Sequence, residues 1–97
     1  MNVKVFEGEV ASQPVVVPIR GHVVAMVLVK TADGYQKFYC YTYKHEDPNG
    51  LLQTIFSNVV VSSIGDNVRF EVPIISCGYI RPEIISFENL TRKIIPF

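Results

Sequence analysis

The sequence predicts an all-β chain in which five strands close into a small, partly open barrel, with one short helix between the third and fourth. Three observations lead there. Short runs alternate apolar and polar residues, most cleanly in Asn67-Val68-Arg69-Phe70-Glu71-Val72. Glycine-containing turn pairs, Asp33-Gly34 and Gly65-Asp66, separate such runs. A single stretch, Leu51-Leu52-Gln53-Thr54-Ile55-Phe56, places its apolar residues at helical spacing instead.

Each element follows in order. Residues 2–10 alternate imperfectly and suit a first strand kinked at Gly8, where an isolated glycine marks a bulge or bend. Val15-Val16-Val17-Pro18 either extends that strand or forms a separate edge segment limited by Pro14 and Pro18. Gly21 releases a second strand, His22 to Lys30, apolar on both faces. Val24, Met26 and Leu28 oppose Val23, Ala25, Val27 and Val29, which predicts core on one side and another subunit or segment on the other. Asp33-Gly34 then turns a hairpin into a third strand, residues 35–44.

Asp47-Pro48-Asn49-Gly50 ends that strand, and Asp47 or Asn49 is placed to cap a short helix over residues 51–57. The β-branched Val59-Val60-Val61 argues against a longer helix. Gly65-Asp66 launches the fourth strand, with Val68, Phe70 and Val72 inward. Residues 73–81 form a loop or hairpin containing Cys77-Gly78-Tyr79. Pro82 opens a last strand, Glu83 to Leu90, and residues 91–97 form a short C-terminal tail. Five strands with the helix between strands three and four is the order of the OB-fold, a Greek-key barrel. The rival small barrels of SH3-like type have no natural place for an apolar helix at that point.

The 97 residues make one domain, 1–97, and 48% hydrophobic with 19% charged content describes an ordered globular chain. Net charge is zero, so no global basic field attracts nucleic acid and any such binding needs a local patch. Cys40 and Cys77 form no CxxC pair, and His22 and His45 lie far apart, which disfavours zinc. Cys40 reads as a buried thiol, although spacing alone leaves a lone disulfide open. Lys4, Glu7 and Glu9 interrupt any signal-peptide pattern, and no run approaches a membrane span, which suggests a cytoplasmic setting.

The third strand is the unusual one. Alternation throws Lys37, Tyr39, Tyr41 and Tyr43 onto one face and Phe38, Cys40 and Thr42 onto the other. Buried phenols would each need a hydrogen-bond partner, whereas a surface that stacks flat, charged ligands uses them directly. Tyrosine is also enriched in protein interfaces, so a dimer contact fits the same face. Phe6 and Phe38 read as core.

The opening Asn2-Val3-Lys4-Val5-Phe6-Glu7-Gly8-Glu9-Val10-Ala11-Ser12-Gln13-Pro14 resembles the first strand of bacterial and phage single-stranded-DNA-binding proteins and the related primosomal replication proteins. Asn2, Gly8, Val10 and Pro14 fall at that family's spacings. Gly21, Val24-Ala25 and Leu28 resemble its second strand. Leu51-Leu52 and Ile64-Gly65-Asp66-Asn67-Val68-Arg69-Phe70-Glu71 are similar to its helix and fourth strand. The chain lacks the tryptophan often used there and has no long acidic tail. It does end in Ile95-Pro96-Phe97, similar to that tail's last residues but preceded by Arg92-Lys93; an apolar terminus packed on the barrel or a partner is the alternative.

The resemblance implies that Lys37, Tyr39, Tyr41 and Tyr43 stack and neutralise single-stranded DNA. Lys30 and Lys44 bracket the hairpin, and Arg20 enters from the first loop. Tyr79 and Arg81, in the loop between strands four and five, are secondary candidates. Arg69 either meets phosphate or pairs across strands. The function expected is binding of single-stranded DNA without strong sequence preference, in replication, recombination or primosome assembly, by a homodimer or homotetramer. Other replication proteins are possible partners. A protein-interaction OB module, an accessory replication subunit without direct DNA contact, and an RNA-binding OB domain are the alternatives. No triad spacing, phosphate loop, metal cluster or paired carboxylates suggest an enzyme, and no cofactor or membrane partner is expected.

Overall fold

The computed structural model describes residues 2–42 and 50–92. Its elements are β1 (Val3–Val10), β2 (Val15–Ile19), β3 (His22–Thr31), β4 (Gly34–Thr42), α1 (Leu51–Val60), β5 (Asn67–Pro73), a 3₁₀ turn (Ser76–Gly78) and β6 (Ser86–Asn89). Tyr43, Lys44, His45, the proposed caps Asp47 and Asn49, and Ile95-Pro96-Phe97 lie outside the described residues.

The strands form one antiparallel sheet, β2-β3-β1-β5-β6, with β4 on β3, curled into a half barrel. β1 makes the curl. It pairs with β5 from Val3 to Glu9, and its last residues, Gly8 to Val10, also pair with Thr31 to Val29 of β3. Where the backbones converge, a Cβ on Gly8 would lie 2.3 Å from the Lys30 carbonyl oxygen, so only glycine fits. The expected kink at Gly8 is therefore a close approach of two strands.

On the far side, β4 meets the segment preceding β6. Tyr39 N–H donates to the Pro82 carbonyl at 3.0 Å, and Ile84 N–H donates to the Tyr39 carbonyl at 2.7 Å. This parallel bridge pairs Tyr39 with Glu83.

Several boundaries differ from the sequence-based expectation. Of the two forms expected for the stretch from Val15, the separate edge strand is the one found, extended to Ile19, and there Pro18 needs no ladder partner. The last strand shrinks to residues 86–89, with Glu83 joined to the sheet only by the isolated bridge. The helix runs through Val60, past the expected end at 57, because Val59 is fully buried and packing outweighs β-branched propensity. Its start has Gly50 in the left-handed region at φ 68° with no side-chain cap; Thr54 Oγ1 donates to the Gly50 carbonyl at 2.9 Å. Leu51, expected on the apolar stripe, is exposed, and Ile55 and Val59 face the core.

That core matches the inward halves of the alternating strands. Phe6 and Val10, Ala25, Val27 and Val29, Phe38 and Cys40, and Val68, Phe70 and Val72 pack with Ile55, Val59 and Ile84. Phe38 is the hub of its aromatic centre, with ring centroids 5.0 Å from Phe6 and 4.6 Å, edge-on, from Phe70. Such pairs add about 0.5–1.5 kcal/mol each beyond burial. Cys40 and Cys77 are free thiols, and burial pushes Cys40 up to about 12, leaving it a protonated, inert packing group.

Candidate functional site

The β3–β4 register assembles one outer face. Val24, Met26, Leu28 and Lys30 of β3 stand opposite Tyr41, Tyr39, Lys37 and Tyr35 of β4. Directly paired residues project to the same side of a sheet, so the partners lie shoulder to shoulder. β2 extends the face, with Val15 opposite Met26 and Val17 opposite Val24. The Tyr39–Glu83 bridge extends it on the other flank. The result is a transverse row, Val15–Met26–Tyr39–Glu83, apolar at one end and acidic at the other.

Tyr39 and Tyr41 pack edge to face, with ring centroids 5.1 Å apart and planes at 78°. Burial is the main cause that raises the Tyr39 phenol above its ordinary range. The charges of Tyr41 and Glu83 and a hydroxyl hydrogen bond to Tyr41 add to this, and Arg81 opposes it. The phenol is thus neutral, and its ring packs against that of Tyr41. Lys37 is exposed beside it and, with Ser12, Val15, Met26, Val27 and Leu28, lines a groove of about 250 Å³.

Not every expected residue joins this face. Lys30 does, with its Nζ 5.8 Å from the centroid of the Tyr35 ring. Arg20 sits at the β2–β3 turn, at the opposite end of β3 from Lys30. It is held at φ 45° next to Gly21 at φ 82°, the double left-handed backbone of a two-residue hairpin. Arg81 arrives through the Glu83 bridge, its guanidinium 4.0 Å from the Glu83 carboxylate. Tyr79 projects into solvent just after the 3₁₀ turn. Arg69 lies on a different sector, clamped between Glu7 at 3.2 Å and Glu88 at 3.7 Å on β1 and β6. The cross-strand alternative is the one adopted.

Two members of the face escaped the sequence reading. Tyr35 shares the parity of Lys37 and Tyr39 and is 66% exposed, but it adjoins the turn and was not counted with the ladder. Its parity was the available signal. Glu83 had no local signal, since only the bridge places it beside Tyr39.

A second polar cluster lies away from this face. The buried Asp66 carboxylate accepts from the Ser63 amide at 2.9 Å, Asn89 Nδ2 at 3.0 Å and Arg92 Nε at 2.8 Å. Those donors, the Ser63 amide foremost, hold its carboxyl below the usual range. Asn89 Nδ2 also donates to Ser62 Oγ at 3.0 Å, tying the helix exit to the end of β6. All its hydrogen bonds are internal and structural.

Among the described residues, no group of three or more His, Cys, Asp or Glu side chains is arranged to hold a metal ion, and no helix is long and apolar enough to cross a membrane. Comparison with models of protein families, with curated proteins and with solved structures gives no match for the chain.

Proposed function

We propose that the chain is an OB-type barrel that binds single-stranded DNA across the β3–β4 face, by aromatic stacking and local basic contacts. The pairing pattern supports the fold reading: β1 is antiparallel to both β3 and β5, the helix falls between β4 and β5, and β4 meets the chain before β6 in parallel. In such a barrel β3 and β4 serve as the second and third strands, whose face, with the flanking loops, binds oligonucleotides.

The observation that carries the function is the grouping of Tyr35, Tyr39 and Tyr41 with Lys30 and Lys37 on one outer face. Each stacked base is worth about 1–3 kcal/mol, and π-faces are common to all bases, so strong sequence preference is not expected. Lys30, Lys37 and Arg81 neutralise phosphates locally, consistent with zero net charge overall. Tyr43 and Lys44, also expected to contribute, lie outside the described residues. The protein acts in the cytoplasm, in replication, recombination or primosome assembly.

Titration of labelled oligo-dT at two salt concentrations tests this, using the wild type and a Tyr39→Ala/Tyr41→Ala variant. Salt-sensitive binding that the double substitution weakens at least tenfold is expected. No binding at low salt overturns the function; binding that survives the substitution overturns the tyrosine assignment.

One observation favours a second reading. The edge strand β2 exposes Val15, Val16 and Ile19 beside the same face, which suits a protein contact, including the homodimer or homotetramer expected from β3. A monomeric mass in dilute solution would remove it.

A further inference from the structure

The Tyr39–Glu83 pairing puts a carboxylate beside the aromatic platform, where a surface that merely attracts phosphate would place a cation. The Glu83 side chain is only 22% exposed. Its nearest charge partner, Arg81 Nη1, is 4.0 Å away, too far for a hydrogen bond. Among the described residues no donor hydrogen-bonds the Glu83 carboxylate. A carboxylate on a partly buried side chain, with no donor among the described residues, therefore borders the ring on which a base would lie.

Its charge excludes the phosphate backbone and admits the edge of a base. An ionised carboxylate only accepts, so it favours edges that donate. Cytosine offers its N4 amine and adenine its N6 amine; thymine offers carbonyl oxygens on either side of a single N–H, and these the carboxylate repels.

We propose that Glu83 reads the base stacked at Tyr39, selecting one that carries an exocyclic amine over thymine. The inference rests on the single-strand-binding reading of this face. It adds one position of modest selectivity to a surface that otherwise tolerates any base.

Fluorescence anisotropy of the intact protein with labelled oligo-dC and oligo-dT of equal length, at neutral pH and low salt, tests the proposal. Both are pyrimidines, so stacking area is nearly matched. Oligo-dC should bind roughly three- to tenfold tighter, the worth of one net hydrogen bond. Glu83→Gln presents either an acceptor or a donor by rotating its amide, so it should raise affinity for oligo-dT and bring the two together. Equal wild-type affinities would overturn the inference while leaving single-strand binding intact. No binding to either oligonucleotide would overturn both. If Glu83→Ala strengthens both oligonucleotides by the same factor from equal wild-type affinities, Glu83 acts only by repelling phosphate, and the inference fails.

Discussion

Tyr39 and Glu83 are backbone partners, joined in parallel by the bonds from Tyr39 to Pro82 and from Ile84 to Tyr39. This bridge links β4 to the segment preceding β6 across the mouth of the half barrel. It also gives the tyrosine strand a charged neighbour from the last third of the chain. Arg81 comes with it, so the loop preceding β6 is part of the outer face and not a remote excursion.

The division of basic residues between sectors has a direct consequence. Lys37 lies on the tyrosine face, whereas Arg69 is held by Glu7 and Glu88. Lys37→Gln should weaken oligo-dT binding and reduce the slope of log affinity against log salt by about 0.7, the single-strand value for one phosphate contact. Arg69→Gln should leave both unchanged and cost at most about 1 kcal/mol of stability, as its ion pairs are exposed. Equal loss of binding in the two variants would refute this division.

Gly8 offers a test of the curl. An alanine Cβ would meet the Lys30 carbonyl at 2.3 Å and Val29 Cγ1 at 2.9 Å, and backbone atoms cannot swing aside as a side-chain tip can. Gly8→Ala should destabilise the fold by roughly 2–3 kcal/mol, seen as a lower urea midpoint at unchanged m. A midpoint equal to wild type would mean that β1 and β3 separate readily here.

Asp66 sets an acid limit. Its folded pKa is depressed by the Ser63 amide, with Asn89 and Arg92 contributing. The stability it supplies is therefore fully present above its unfolded pKa of about 3.9 and is lost as pH falls through the lower, folded value. Asp66→Asn should cost about 2 kcal/mol at pH 7, because the remaining oxygen accepts more weakly and the new amine meets donors. The variant should also lose less stability than wild type between pH 5 and pH 3. Parallel pH profiles from urea unfolding would show that other carboxylates set the acid limit.

Local pattern made much of this legible in advance. The inward set Phe38, Val68, Phe70 and Val72 follows from period-two alternation, and each of these side chains is buried. The Asp33-Gly34 turn lies where the β3–β4 hairpin closes, with Thr31 paired to Gly34. The helix end was misjudged because Val59, Val60 and Val61 look strand-like in isolation. Val59 stays helical because its turn carries it into the core, a tertiary reward that propensity does not register.

By itself, then, the sequence determined which side of β4 and of β5 faces inward, and so that Lys37, Tyr39 and Tyr41 share an outer face. Alternation is a property of neighbouring residues and survives any choice of partner. Only the tertiary structure decided which strands lie beside that face. Glu83 flanks Tyr39, Arg69 is diverted to Glu7 and Glu88, and Gly8 must be glycine because Lys30 passes against it. Those outcomes depend on where the sheet curls and which edges meet, a matter of long-range pairing that no local spacing encodes.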